Sequence, residues 1–535
     1  MFPFVLTATM FSQGLREQPT DPWALARRHA RTYRVSTLMD ANQVANDLKN
    51  EAGVQRAIAW CRGHGITHVY IESYRDKVEP SDETLRRARD GFRAAGFQVS
   101  GCITPTLIGK PGNGWTSISC YTDPTTRKEI ERVFRRAAAL FDEIMIDDFL
   151  FTDCTCEACR QARRSNTWAG YRGDLMLDVS RKEILGAVRA VNPRCKVIVK
   201  YPCWHEDFQE RGYDVVRQTA AFDRIWVGTE TRGGAPGTQW AAEPQYRAYW
   251  LMRWLGGIGG AKCGGGWYDW LGTPPVYYLE QARLTILGGA REALLFNYGA
   301  LVRDSLGRRD AAAWLTELPQ HFELAEIVAK RKPRGLLGWK PPSSPPGKDR
   351  NLHSLLGMAG FPVIAAHAFD ASAPGFVFAD HVRADPSWRR AWRAALASGR
   401  PIAASASWLE FARADTDKGV IALPPNSDAN RYDALASLPQ EELNALRDRA
   451  TAALGVRFHA PYGVALFLFG QDTAILQSFR DEATTCELEI GGWKGFVTAL
   501  RLPANSGATV SPGSRSKILL PARSMIVLRR SQTRL

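Results

Sequence analysis

Two groups of residues in this 535-residue chain have the types and spacing that chemistry requires. The first is acidic. Asp40, Glu72, Asp147, Asp148, Glu230 and Asp269 each close or closely follow a β-rich run, and Ile144-Met145-Ile146-Asp147-Asp148 is the sharpest case. A carboxylate in such a place is costly to bury unless it is paired or put to use. Lys200, Tyr201, Arg232 and Trp267 follow further runs of the same kind. Two carboxylates flanking one bond are what glycoside cleavage needs: one protonates the departing oxygen, the other attacks the anomeric carbon or activates water. Asp148 and Glu230 are the expected catalytic pair. Asp40, Glu72, Asp147, Lys200, Tyr201, Arg232, Trp267 and Asp269 are the expected substrate-binding lining, with Asp147 and Asp269 the replacement pair. The competing reading of Glu230 is a salt bridge to Arg232 across a turn. His205 is a candidate proton shuttle, and Trp115, Trp204, Trp240, Trp267 and Trp270 offer flat apolar faces to sugar rings.

The second group is sulfur. Cys154-Thr-Cys156-Glu-Ala-Cys159 forms a C-x-C-x2-C cluster, and Cys120 precedes it by one loop and one helix. Thiolates so crowded repel one another unless a cation neutralises them, and Zn2+ takes four sulfurs tetrahedrally. A structural Zn2+ on these four cysteines is the expectation. The other six cysteines have no such grouping and read as buried reduced thiols.

Positioning these residues requires a frame that brings the ends of several strands together. From residue 33 to 331, β-rich runs alternate with amphipathic stretches such as 81–95 and 125–140, the pattern of a parallel α/β fold. The strands expected are 33–39, 67–72, 98–103, 143–148, 196–200, 224–229, 260–265 and 293–297. Eight such units over about 270 residues fit a (β/α)8 TIM barrel, whose reactive groups stand at the C-terminal strand ends. A doubly wound open sheet fits less well, since no G-x-G-x-x-G turn follows the first strand. The expected division is a barrel over 1–335, a Pro-rich linker over 336–350, a small flavodoxin-like α/β domain over 351–450 and a C-terminal β-sandwich over 451–535.

At 45% hydrophobic and 23% charged the chain is not a disordered or fibrous polymer, and no apolar run reaches the length that spans a bilayer. Its 69 Lys+Arg against 55 Asp+Glu give a net charge of +14. The arginines are interleaved with acids, as on a solvated face, so nucleic acid is not the expected partner. An oligo- or polysaccharide is, and the basic balance admits an acidic one. The N-terminus has no clear signal-peptide pattern, which points to the cytoplasm unless the start codon is misplaced.

The order barrel, flavodoxin-like domain, β-sandwich, together with Cys120 and the Cys154–Cys159 cluster after strand four, resembles the glycoside hydrolase family 42 β-galactosidases. That resemblance implies a structural zinc on the four cysteines and an acid/base at the end of strand four. It also implies a middle domain similar to class I glutamine amidotransferases that mediates trimerisation, so a homo-oligomer, trimer or dimer, is expected. The chain departs from the family where it matters: Asp147-Asp148 stand in place of Asn-Glu, and Asp269 is the only acid where a strand-seven Glu is the nucleophile. β-Galactosidase activity therefore does not transfer. An Asp at strand four with an acid at strand six looks like several α-glycosidase families in which that Asp is the nucleophile, and both role assignments stay open. Residues 351–424 contain no Cys, so glutaminase chemistry is absent. The alternatives to a hydrolase are a non-catalytic carbohydrate-binding relative and a zinc-stabilised nucleic-acid-binding protein.

Overall fold

A computed structural model describes residues 21–232, 243–269, 271, 273–413, 419–425 and 434–531. Eight parallel strands close into a barrel in chain order: β1 Arg34–Met39, β2 His68–Tyr74, β3 Gln98–Ile103, β4 Glu143–Ile146, β5 Lys196–Tyr201, β6 Arg224–Gly228, β7 Cys263–Asp269 and β8 Glu292–Phe296. β8 pairs with β1 to complete the ring, Val35 opposite Ala293. Each expected strand is present. β7 lies three to four residues later than expected, because Gly260–Lys262 forms a short 3-10 turn and the run of glycines carries no alternation to read.

Side chains alternate in and out along each strand. Leu38, Tyr70, Cys102, Met145, Ile198, Trp226, Trp267 and Leu294, one from each strand, form a packed cluster inside the barrel. Two residues earlier, the floor is polar: Ser100 Oγ lies 2.9 Å from His68 Nε2, and His68 Nδ1 lies 2.7 Å from Glu292 Oε1. Two residues later come Asp40, Glu72, Thr104, Asp147, Lys200, Gly228, Asp269 and Phe296, a largely polar layer at the C-terminal mouth.

Beyond the barrel, β9 (Pro333–Arg334) is followed at once by β10 (Leu336–Trp339). With β11 (Val363–Ala366), β12 (Phe376–Phe378), β13 (Ile402–Ala404) and β14 (Val420–Ala422), β10 builds an all-parallel sheet in the order β11-β10-β12-β13-β14. This is the flavodoxin-like order. The segment 336–350 is therefore not a plain linker: its first four residues are an interior strand, and only the proline-rich stretch after Trp339 is irregular.

The last strands are β15 (Val456–His459), β16 (Val464–Phe469), β17 (Thr473–Ser478), β18 (Thr484–Ile490), β19 (Phe496–Leu502), β20 (Thr509–Val510), β21 (Arg515–Leu520) and β22 (Met525–Arg530). They form two antiparallel sheets, β15-β18-β21-β20 and β19-β22-β17-β16-β9. β9 thus ties the exit of the barrel to the edge of a C-terminal sheet, Arg334 opposite Leu468. Phe467, Phe469, Ile475, Leu502 and Val527 belong to the same buried cluster as Trp314, Leu318 and Phe322 of the barrel's long helix Ser305–Ala329. Among the described residues no helix is long and apolar enough to cross a membrane.

Candidate active site

The polar mouth layer opens into a cleft of about 570 Å³. At its base stands Lys200, which the strand alternation points inward, two residues on from Ile198 of the interior cluster. Its Nζ lies 2.7 Å from Glu230 Oε1, 3.2 Å from Asp148 Oδ2 and 3.4 Å from Asp147 Oδ1, and sits 3.9 Å from the centre of the Trp267 ring. One ammonium thus gathers the acids of β4 and β6. Because Asp148 and Glu230 share it, those two contacts cap the separation of their nearer oxygens at about 6 Å.

The three acids differ in what surrounds them. Asp147 is buried, but Lys200 and Arg75 outweigh that burial and hold its carboxyl at about 2. Arg75 Nη2 donates to Asp147 Oδ2 at 2.8 Å, Thr104 Oγ1 donates to the same oxygen at 3.1 Å, and the Asp148 amide donates to Asp147 Oδ1. Burial pushes the Asp148 carboxyl the other way, to about 7; Lys200 opposes the rise, while the charges of Asp147 and Glu230 add to it. Asp148 keeps 18% of its side chain open to the cleft. Glu230 is buried, bonded to Lys200 through Oε1, and its Oε2 has no hydrogen-bond partner among the described residues. That oxygen lies 2.4 Å from where a Cβ on Gly228 would stand, so Glu230 takes this position only because residue 228 has no side chain. The helix Pro275–Leu287 braces the turn: Gln281 accepts from the Thr231 amide and donates to the Asp269 carbonyl.

The salt bridge proposed between Glu230 and Arg232 is not the pairing found. Arg232 makes a forked contact with Asp269, at 2.7 to 3.1 Å, and Glu230 is left to Lys200. Asp147, Asp148, Lys200, Glu230, Arg232, Trp267 and Asp269 all line the cleft, as do Trp115 and Trp204. Three expected lining residues do not. Tyr201 follows the inward Lys200 and so points outward, its hydroxyl 3.0 Å from Thr219 Oγ1 among the barrel helices. Glu72 is fully buried behind Arg75, accepting from it at 2.8 Å and from the Ala41 amide; burial raises its carboxyl to about 7. Asp40 caps the helix Ala41–Asp47 and accepts from Asn297 Nδ2. His205 is no shuttle: it is buried beside Trp254, and burial lowers its pKa to about 3. Trp240 and Trp270 lie outside the described residues.

Sequence reading missed Arg75, the residue that links Glu72 to Asp147 and lines the cleft. It stands three residues after Glu72, and an arginine so soon after a strand-end acid was the available signal. Also missed were Arg211, Glu243 and Arg247 on the wall.

Beside the cleft, Cys120, Cys154, Cys156 and Cys159 place their four sulfurs within 4.8 Å of one another. Cys120 lies 3.7 Å from Cys156 and 3.6 Å from Cys159, and Cys156 lies 3.6 Å from Cys159. Four ligands about 2.3 Å from a common tetrahedral centre stand about 3.8 Å apart, so the set fits a metal ion. It joins the loop after β3 to the loop after β4.

Residues 20–345 match a family model described as the catalytic domain of a probable glycosyl hydrolase. The chain belongs to that family. An uncharacterised protein of Saccharolobus solfataricus is 27% identical to this glycosyl hydrolase family member over 288 residues, which are 47% of each chain. The match therefore spans about half the length of that relative. Among solved structures, an exo-β-1,4-mannosidase from Opitutaceae bacterium strain TAV5 is 11% identical, with 82% of this chain and 83% of that one covered at a TM-score of 0.47. A maltogenic α-amylase from Thermotoga neapolitana is also 11% identical, with 93% and 98% covered at 0.36.

Proposed function

We propose that this family member cleaves glycosidic bonds in an oligo- or polysaccharide with retention of configuration, Asp148 serving as acid/base and Glu230 as nucleophile. The observation that carries this reading is the Lys200 bridge, which keeps the nearer oxygens of the two acids within about 6 Å, short of the roughly 6.5–9.5 Å of inverting sites and compatible with the roughly 5 Å of retaining ones. The difference in environment divides the roles: a carboxyl near 7 keeps its proton on about half of the molecules at neutral pH and can donate it, which leaves the attack to Glu230, held by Lys200 at 2.7 Å. In the first step Asp148 gives its proton to the glycosidic oxygen as a Glu230 oxygen bonds to the anomeric carbon and the leaving sugar departs. Lys200, 3.2 Å away, stabilises the new Asp148 carboxylate. In the second, Asp148 takes a proton from water, whose oxygen displaces Glu230.

Zn2+ is the metal proposed for the four cysteines, on the strength of an all-sulfur tetrahedral set. The likeness to family 42 enters as one of architecture and cysteine placement, and self-association through the flavodoxin-like sheet is proposed with it. Light scattering that gives a monomer of 59.4 kDa removes that last part. A 2-deoxy-2-fluoro glycoside tests the catalytic assignment: mass spectrometry should find the trapped sugar on a Glu230 peptide, and a label on Asp148 reverses the two roles.

A further inference from the structure

One wall of the cleft is aromatic and is carried by the loops after β3, β4 and β5. Trp115, in the loop after β3, has 44% of its surface exposed, the most of any large ring among the described apolar residues, and it faces the cleft. It packs edge-on against buried Phe151, at 5.6 Å between ring centres, and Phe151 packs in the same way against Trp204 at 5.2 Å. The Arg211 guanidinium lies 5.3 to 5.7 Å from all three ring centres and pairs with Asp153 at 3.0 Å.

Exposing an indole in this way loses the gain from burying it, and the local backbone is built to hold it there nonetheless. Asp153 accepts from the Trp115 amide at 3.0 Å, and Asn113 accepts from the Thr155 amide at 2.7 Å. A Cβ on Gly114 would stand 2.1 Å from Asp153 Oδ1, so this loop contact needs glycine. Polar groups stand beside the rings: Arg211 and Asp207 both line the cleft. An apolar face flanked by hydrogen-bonding groups is what a pyranose ring requires, with its C–H face against the indole and its hydroxyls toward the edge.

We propose that Trp115, with Trp204 and Arg211, forms a second sugar subsite that binds the leaving-group side of the substrate; this rests on the glycosidase reading above. The side follows from the loop that carries the acid. Asp148 is three residues before Phe151, and its carbonyl accepts from the hydroxyl of Tyr213, whose ring packs against Trp204 at 5.5 Å. The platform therefore adjoins the proton donor, whereas Glu230, Trp267, Asp269 and Arg232 gather at the ends of β6 and β7. A group that protonates the leaving oxygen must neighbour the sugar that leaves. The substrate class is an oligosaccharide with a sugar, not a small alcohol, as leaving group.

Two measurements on the full chain test this. Tryptophan fluorescence is titrated with cellotriose, mannotriose and maltotriose in the Glu230→Gln background. At least one should bind, and adding Trp115→Ala should weaken it roughly tenfold, with Trp115→Phe recovering much of the loss. Failure of all three to bind, or binding that Trp115→Ala leaves unchanged, overturns the subsite. Trp115→Ala in the otherwise wild-type chain is then assayed on oligosaccharides and on glycosyl fluorides, whose leaving group has no ring to stack. kcat/KM should fall about tenfold on the former and stay within about twofold on the latter. Equal losses on both overturn the assignment to the leaving-group side. Binding that depends on Trp115 without hydrolysis of any glycoside or fluoride refutes the glycosidase reading and leaves the subsite standing.

Discussion

Asp147 and Asp148 are neighbours in the chain with opposite proton affinities, because one faces two cations and the other shares a single cation with two further acids. Asp148→Asn and Glu230→Gln should each lower kcat by about 10²- to 10⁴-fold with melting temperature little changed. Steady-state kinetics beside a thermal melt checks both. The pH profile carries a sign: with Asp148 protonated below about 7, kcat/KM should fall tenfold per unit above that value for substrates that need the proton, and less steeply for glycosyl fluorides. Stability follows the same group. Between about pH 4 and 7 the folded chain holds a proton on Asp148 that the unfolded chain has released, so this contribution declines as pH rises through that window; Asp147 acts oppositely, stabilising above about 4 and losing that effect toward 2. Lys200→Met leaves three acids without their common cation. It should abolish activity and lower stability by about 3–5 kcal/mol, read from denaturant unfolding.

The strands explain what could be read in advance and what could not. Apolar runs ending in Asp or Glu announced the mouth layer, because period-two alternation carries the inward face of the barrel directly onto those acids. Tyr201 was misplaced for the same reason: it is one residue, and hence one face, away from Lys200. The Glu230 partner was not legible, since the choice between Arg232 and Lys200 is made by packing between β5, β6 and β7 and leaves no local pattern. Nor was β10, hidden beside prolines that read as a linker. The cysteine spacing, by contrast, named its cluster outright. Cys156→Ser/Cys159→Ser should bind less than about one metal per chain by elemental analysis, against about one in the parent, and lower the melting temperature by about 5 °C or more. Because Cys120 and Trp115 share a loop, the double variant should also weaken trisaccharide binding before it lowers turnover of a glycosyl fluoride.

At the scale of the molecule, the barrel has no independent surface on one side. Its long helix Ser305–Ala329 shares a buried cluster with the sheet containing β16, β17, β19 and β22, and that sheet takes its edge strand from β9 at the barrel exit. Arg523 also reaches back to Glu280 and Tyr277 on the barrel helix Pro275–Leu287, and Arg283 there donates to the Arg523 carbonyl at 2.8 Å. Removing residues 451–535 should therefore yield insoluble protein or a chain without a cooperative melt, not an active barrel, as sedimentation and calorimetry will register. The edge strand at Pro333–Arg334 has a consequence for biogenesis. Translation delivers the rest of its sheet, residues 464–530, only after the whole flavodoxin-like sheet has been made, so at about 5–20 residues per second the nascent barrel waits some ten seconds or more with the helices Pro275–Leu287 and Ser305–Ala329 uncovered where β19 and Arg523 will pack. Chaperone demand during synthesis should peak in that interval and fall once Arg530 has emerged.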